Sequence, residues 1–458
     1  MKDSDALKSL PAVDAVVGDR RVAALLTRLP RRLALMVIRR YLAELREDII
    51  AGQTAAFDWP VLVARLEQET RPSLRRAVNA LGVVLHTGLG RAALSAPAKA
   101  ALAEVSASFC TLAIELETGR RGERYVHVAD LLRELTGAEA AMVVNNNAAA
   151  TMLILNTLAA GKDVVISRGQ LVEIGGAFRM PDIMQRSNVR MKEVGTTNRT
   201  HLKDYRNAIT PETGMLIRVH TSNYKITGFT KEVALADLVV LGREFSLPVV
   251  DDLGSGALID LAQYGLPHEP TVQESLAAGA DVVCFSGDKL IGGPQSGIIV
   301  GRKALIDRMK QNPLTRTLRC GKLTYASLEA TLRMFFDEER LVREHAVLSA
   351  LLKPVAEIQR QADKLLGTLQ DVAGRVKLTI EEGVSEIGGG SLPTEPLPTR
   401  LVALQPEGIS ADELARRLRL GDPAVFGRIE RGRLILDLRT VREDEITIVA
   451  QALQAALG

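Results

Sequence analysis

Only three cysteines occur in the 458 residues, Cys110, Cys284 and Cys320. They are far apart, odd in number and form no Cys-x-x-Cys pair, which argues against a disulfide framework and against a zinc site. No metal centre is expected, and the compartment is expected to be reducing. No uninterrupted apolar run approaches the roughly 20 residues of a membrane span, and residues 1–8 lack the apolar core of a signal peptide. The expectation is a cytoplasmic protein with no membrane association. Internal repeats and low-complexity tracts are missing too. So is a surplus of one charge: 58 Lys and Arg stand against 55 Asp and Glu, and the overall balance selects no partner.

The charges are nevertheless unevenly placed. Arg20, Arg21, Arg28, Arg31, Arg32, Arg39, Arg40 and Arg46 share their segment with a single acid, Glu44. That is the electrostatic footprint of a phosphate-backbone binder, although a solvated helix face has the same composition. Apolar Val22, Leu25, Leu26 and Leu29, then Leu33, Met36, Val37 and Tyr41, recur at helical spacing with Pro30 between the groups. Residues 1–68 therefore read as a small helical domain. Residues 69–90, with Thr70-Arg-Pro-Ser73 and Gly82, Gly88 and Gly90, read as a linker.

Over 91–345, short apolar runs at 141–144, 164–167, 215–219, 248–250, 281–285 and 298–300 are separated by helix-length segments. This predicts an α/β core with a mostly parallel sheet covered on both sides, whose ligands gather at the carboxyl ends of the strands. Residues 346–458 predict a smaller α/β domain. Its elements are a long helix over 347–369, a loop Gly388-Gly-Gly-Ser-Leu-Pro393, a strand over 401–404, a Ser-capped helix over 410–418, a hairpin turn over 428–433 and a closing helix over 446–457.

Four constellations carry chemistry. Lys289 stands in a glycine-rich turn, Ser286-Gly-Asp-Lys-Leu-Ile-Gly-Gly293, between two apolar runs. A lysine there can condense with an aldehyde cofactor, and Ser286 is placed to help hold that cofactor's phosphate. Asp251 and Asp252 end an apolar run 37 residues before the lysine, room for a crossover helix that brings both groups to one sheet edge. One of the two acids is suited to keep a pyridine nitrogen protonated. Asn146, Asn147 and Ala148 open an apolar helix, where free N–H groups and the helix dipole make an anion site. Arg91, Arg316 and Arg319 supply forks for an oxyanion. Phosphate cradle, acid and lysine arrive in the order of the aspartate-aminotransferase-like (fold type I) enzymes that use pyridoxal phosphate.

The resemblance sharpens further on Phe285-Ser-Gly-Asp-Lys-Leu-Ile-Gly-Gly-Pro-Gln295, Asp252-Leu-Gly-Ser-Gly256, His220-Thr-Ser-Asn-Tyr224, Ser167-Arg-Gly-Gln-Leu-Val-Glu-Ile-Gly-Gly176 and Val194-Gly-Thr-Thr-Asn-Arg199. With Leu10-Pro-Ala-Val-Asp14 and the Ile387–Pro393 loop, they make nearly the whole chain similar to the bacterial selenocysteine synthases, the L-seryl-tRNA(Sec) selenium transferases. Gln170 departs mildly from the Glu expected in that family.

The resemblance implies a pyridoxal phosphate enzyme that eliminates water from seryl-tRNA(Sec) to give aminoacrylyl-tRNA, then adds selenium from selenophosphate. It implies Lys289 as the cofactor lysine, Asp252 in preference to Asp251 as the pyridine partner, and Arg91, Arg316 and Arg319 as ligands of the donor's phosphate. It also implies a tRNA-gripping N-terminal domain and a homodecamer built from dimers. A pyridoxal phosphate lyase or aldolase acting on a small amino acid would have no use for the basic extension. A tRNA-binding protein with a decayed site would not need Lys289, Asp252 and the arginines intact.

Overall fold

The computed structural model describes residues 6–53, 55–176, 178–372, 374–390 and 395–458. Residues 1–5 of the segment read above for a signal peptide, and residues 391–394 of the glycine-rich loop, lie outside them. The chain forms two compact units, Met1–Arg76 and Ala77–Gly458.

The first unit is helical. Helices Val13–Gly18, Arg20–Leu25, Arg31–Ile50 and Trp59–Glu69 enclose Val22, Leu25, Leu29, Val37, Tyr41, Leu62 and Leu66. Pro30 opens the long helix, where its missing N–H leaves no intrahelical bond unmade. The apolar spacing read from the sequence holds, apart from Met36, which is exposed. Because the apolar positions turn inward every three or four residues, all eight arginines of 20–46 face solvent. Arg21 is bonded to Asp19 at 2.9 Å and lies over the ring of Trp59 at 3.7 Å.

The second unit is built on a seven-stranded sheet. Its strands are β1 (Ala140–Val144), β2 (Asp163–Ser167), β3 (Arg190–Val194), β4 (Thr213–Val219), β5 (Val249–Gly254), β6 (Val282–Ser286) and β7 (Gly297–Gly301), in spatial order β1-β7-β6-β5-β4-β2-β3. Only β7 is antiparallel to its neighbours, so the other six strands point one way and their carboxyl ends share an edge. Strands β5, β6 and β7 are buried along their whole length, which explains the apolar runs of β6 and β7, whereas β5 carries Asp251 and Asp252 into the interior. Strand β3, Arg-Met-Lys-Glu-Val, is an edge strand with four exposed residues and carries no apolar run to announce it.

A smaller sheet pairs Val376–Gly388 with Leu397–Pro406 antiparallel, continues through Arg433–Asp437 to Arg428–Glu430, and gains Val83–Leu85 in parallel on Glu386–Gly388. Ala77–Asn79 pairs with Ala424–Phe426. The segment expected as a linker over 69–90 thus contributes two strands whose partners lie far along the chain, a pairing that no local pattern reveals. The single helix expected over 347–369 is two, Ala346–Leu351 and Val355–Thr368, because Pro354 lacks an N–H and forces Lys353 out of helical geometry. Ser410 accepts the Glu413 N–H at 3.1 Å to cap helix Ala411–Leu420, and Ile446–Leu457 closes the unit, both as the sequence predicts. Among the described residues no helix is long and apolar enough to cross a membrane.

Candidate active site

Strand β6 ends at Ser286, and the chain then folds into a turn closed by three backbone bonds. Gly287 donates to Ser296 at 2.8 Å, Gly293 to Gly287 at 2.8 Å and Gly292 to Lys289 at 2.9 Å. Gly287 is required here, since a Cβ on it would lie 2.1 Å from the Ser296 hydroxyl. The turn carries Lys289 inward until it is only 3% exposed. Burial pulls its pKa below the ordinary lysine value and Arg91 adds to the shift, while Asp252, Asp288 and Glu269 oppose it. The neutral amine thereby favoured is the form that attacks a carbonyl. Nζ comes so close to Gly390 that a Cβ there would sit 2.4 Å away.

Asp251 and Asp252 are neighbours on β5, so their side chains leave opposite faces of the sheet. The fully buried Asp251 carboxylate accepts from Arg218 Nε and Nη2, each at 2.7 Å, and from Ser275 Oγ at 2.7 Å. Asp252 instead accepts from Asn147 Nδ2 at 2.8 Å and Thr151 Oγ1 at 2.9 Å, both neutral donors. Burial raises its pKa, against the lowering effect of those two hydrogen bonds and of Lys289. The alternative left open between the acids is therefore asymmetric: Asp251 is closed by a bidentate arginine, and Asp252 belongs to the field of Lys289.

The helix Asn147–Ala159 begins directly beyond β1. Asn146 caps it by accepting the Ala149 N–H at 2.9 Å, which leaves the Asn147 and Ala148 N–H groups at the open, electropositive end. The Asn147 side chain does not join that end but turns to Asp252. Gly297 of β7 passes so close that a Cβ on it would lie 2.1 Å from the Asn146 carbonyl oxygen. Ser286 ends β6 opposite Gly297, so it stands beside the same helix start.

The three expected arginines separate into two groups. Arg91 sits in left-handed backbone at φ 59° and donates to Asp288 Oδ2 at 2.9 Å, one residue from Lys289. Arg319 bridges to Val144, and Asn145 donates its N–H to Leu318 at 2.9 Å, which lays the Arg316–Arg319 segment along the approach to the helix start. Repulsion from Arg124 and Arg316, reinforced by burial and Arg121, lowers the Arg319 pKa. Such a cluster favours an anion among its members.

Several participants escape a reading of the sequence. Thr151 lies one helical turn beyond Asn147, and that i, i+4 spacing could have found it. Asp288 adjoins the lysine and His220 begins a quoted motif, yet neither announces its partner. His220 donates its backbone N–H to the Asp252 carbonyl at 2.9 Å and sets Nε2 3.5 Å from the buried Glu269 carboxylate. Glu269 has no local signal at all. Gln170 is buried and accepts the Val219 N–H at 3.2 Å through Oε1.

These residues fit pyridoxal phosphate. The buried Asp252 carboxylate would be stabilised by a docked pyridinium cation, the open helix end takes a phosphate, and Lys289 presents an amine to the aldehyde. Among solved structures the chain resembles D-glucosaminate-6-phosphate ammonia-lyase with a TM-score of 0.58 and 20% identity, over 84% of this chain and 96% of that one, which agrees with the fold class expected from the sequence. The proteins named L-seryl-tRNA(Sec) selenium transferase from Carboxydothermus hydrogenoformans and Solidesulfovibrio magneticus are each 49% identical to it. The first alignment covers 98% of both chains, the second 98% of this chain and 97% of the relative. The one from Desulfomicrobium baculatum is 48% identical over 99% of this chain and all of its own. The family model for L-seryl-tRNA selenium transferase matches residues 77–442, and the chain belongs to that family.

Proposed function

We propose that this protein converts L-seryl-tRNA(Sec) to L-selenocysteinyl-tRNA(Sec) with pyridoxal phosphate as cofactor, the β-hydroxyl leaving as water and selenium from selenophosphate taking its place. The observation that carries the reading is the buried Lys289 amine in the field of the buried Asp252 carboxylate, in a chain 49% identical to relatives of that name. Bound pyridoxal phosphate supplies an electron sink for the charge left at the seryl α-carbon.

Asp252 would hold the protonated pyridine nitrogen, and Asn147 and Thr151 hold Asp252. The N–H groups of Asn147 and Ala148, with Asn146 and Ser286, receive the cofactor's phosphate. Lys289 would hold the cofactor's aldehyde, and its amine is placed to serve as the base that takes the seryl α-proton, a role matched to its lowered pKa. Arg91, fixed by Asp288, and the Arg316–Arg319 pair bind the phosphate of the donor. The seryl carboxyl is esterified and uncharged, so it makes no claim on these forks.

The exposed arginines of 20–46 suit the helical unit to the tRNA backbone. A cytoplasmic homodecamer built from dimers completes the proposal, and exposed Ile114, Leu116 and Val126 around one surface depression support burial against a second copy.

Turnover of seryl-tRNA(Sec) with selenophosphate, read as selenocysteinyl-tRNA, tests the reading. Its absence with active substrates sinks it. Lys289→Ala is expected to abolish both turnover and the yellow absorbance of the lysine-bound cofactor.

A further inference from the structure

Beside Lys289 lies a cavity of about 670 Å³ that none of the roles above uses. It is lined by the turn His86-Thr-Gly88, which leads into Arg91, by the neighbouring end of strand Val376–Gly388 with Val384 and Glu386, and by Asn223 and Glu395. Gly388 and Gly389 also line it, and the next residue, Gly390, is the one that abuts Lys289 Nζ. The lining residue Gly389 thus stands one residue of backbone, on the order of 4 Å, from the glycine that abuts the reacting amine.

The lining is selective. Among the described residues no arginine or lysine lines the cavity, and the charges in its lining are those of Glu386 and Glu395, the latter 3.7 Å from Lys225. A phosphate is therefore disfavoured here, in contrast to the arginine groups nearby. Carboxylates, an amide and a threonine hydroxyl accept hydrogen bonds from hydroxyl and amino groups, while Val384, Ile387 and Pro396 offer apolar surface to a flat ring. A ribose hydroxyl together with an uncharged aromatic amine matches that chemistry.

Resting on the function proposed above, we infer that this cavity is the subsite for the 3′-terminal adenosine that carries the seryl ester. When the seryl amine reaches Lys289, the ester places the ribose only a few bonds away, within reach of the Gly388-Gly389 lining. The volume holds one nucleoside with space for water. The turn that walls the cavity also carries Arg91, so the seating of the nucleoside and the placement of the donor-binding fork share one rigid element.

The test compares L-serinamide with 3′-deoxy-3′-(L-seryl)amidoadenosine, which keeps the nucleoside but resists hydrolysis. Each is titrated into the cofactor-loaded protein while the absorbance change on displacement of Lys289 is followed. The nucleoside compound is expected to bind at least tenfold more tightly. Val384→Trp, which fills the cavity from an exposed strand position, is expected to bring that ratio close to one, whereas Leu420→Trp, on an exposed helix end elsewhere, keeps it. Equal affinities in the unsubstituted protein, or a preference that survives Val384→Trp, overturn the subsite. So does silence toward both compounds in a protein that still turns over seryl-tRNA; silence together with no turnover overturns the functional reading beneath it.

Discussion

Asn147 Nδ2 donates to Asp252 Oδ1 at 2.8 Å, so the helix that offers its N-terminus to a phosphate also fixes the carboxylate on β5. In the proposed cofactor site one residue would tie the two ends together, through its backbone to the phosphate and through its side chain to the acid. Asn147→Ala keeps the N–H and removes only the second tie. A hydrogen bond to a charged group contributes about 1.5–3 kcal/mol, so the affinity of the apoprotein for pyridoxal phosphate is expected to fall roughly tenfold or more. Titration followed at the cofactor's absorbance measures it, and an unchanged affinity would remove Asn147 from the acid's support.

The two adjacent acids on β5 are expected to fail in different ways. Arg218→Ala leaves the Asp251 carboxylate buried without its cation, and breaking such a pair costs about 3–5 kcal/mol, read as a lower urea midpoint. Asp252→Asn removes an anion held by neutral donors and is expected to spare the midpoint while abolishing turnover. Should Asp251→Asn abolish turnover in a protein as stable as the parent, the assignment of the acids is reversed.

Much of this arrangement is legible in the sequence because its signals are local. Buried strands such as β6 read as apolar runs, and Lys289, Asp252 and Asn146 each sit where such a run meets a loop. What stays hidden depends on contacts between distant segments. Val83–Leu85 is a strand only because Glu386–Gly388 lies beside it. Nothing near Asp251 shows that Arg218 on the neighbouring strand will claim it. The edge strand β3 hides for the opposite reason, since four of its five side chains are exposed and polar residues dominate it.

Gly390 supplies a steric prediction. It holds φ +104°, where side chains are strained, and its absent Cβ is the space into which Lys289 Nζ reaches. Gly390→Ala is expected to displace the lysine and so to lose most of the yellow absorbance of the lysine-bound cofactor. Circular dichroism is expected to report an intact fold, and a variant with full absorbance would show that the loop yields at no cost.

The arginine cluster makes the most specific prediction about the selenium donor. Arg319 lies in the repulsive field of Arg124 and Arg316, with Arg121 beyond, so an anion that settles there relieves repulsion as well as gaining hydrogen bonds. Arg319→Ala removes a fork, and the kcat/KM for selenophosphate is expected to fall roughly tenfold or more. The KM for seryl-tRNA is expected to stay within twofold, because the seryl ester brings no charge to that cluster. Arg124→Ala removes the largest source of repulsion without removing the fork. Its effect on the donor's KM is therefore expected to be smaller than that of Arg319→Ala, and to shrink as salt screens the field. If Arg319→Ala instead raises the KM for seryl-tRNA and leaves the donor's unchanged, the cluster serves the tRNA and the phosphate of the donor rests on Arg91 alone.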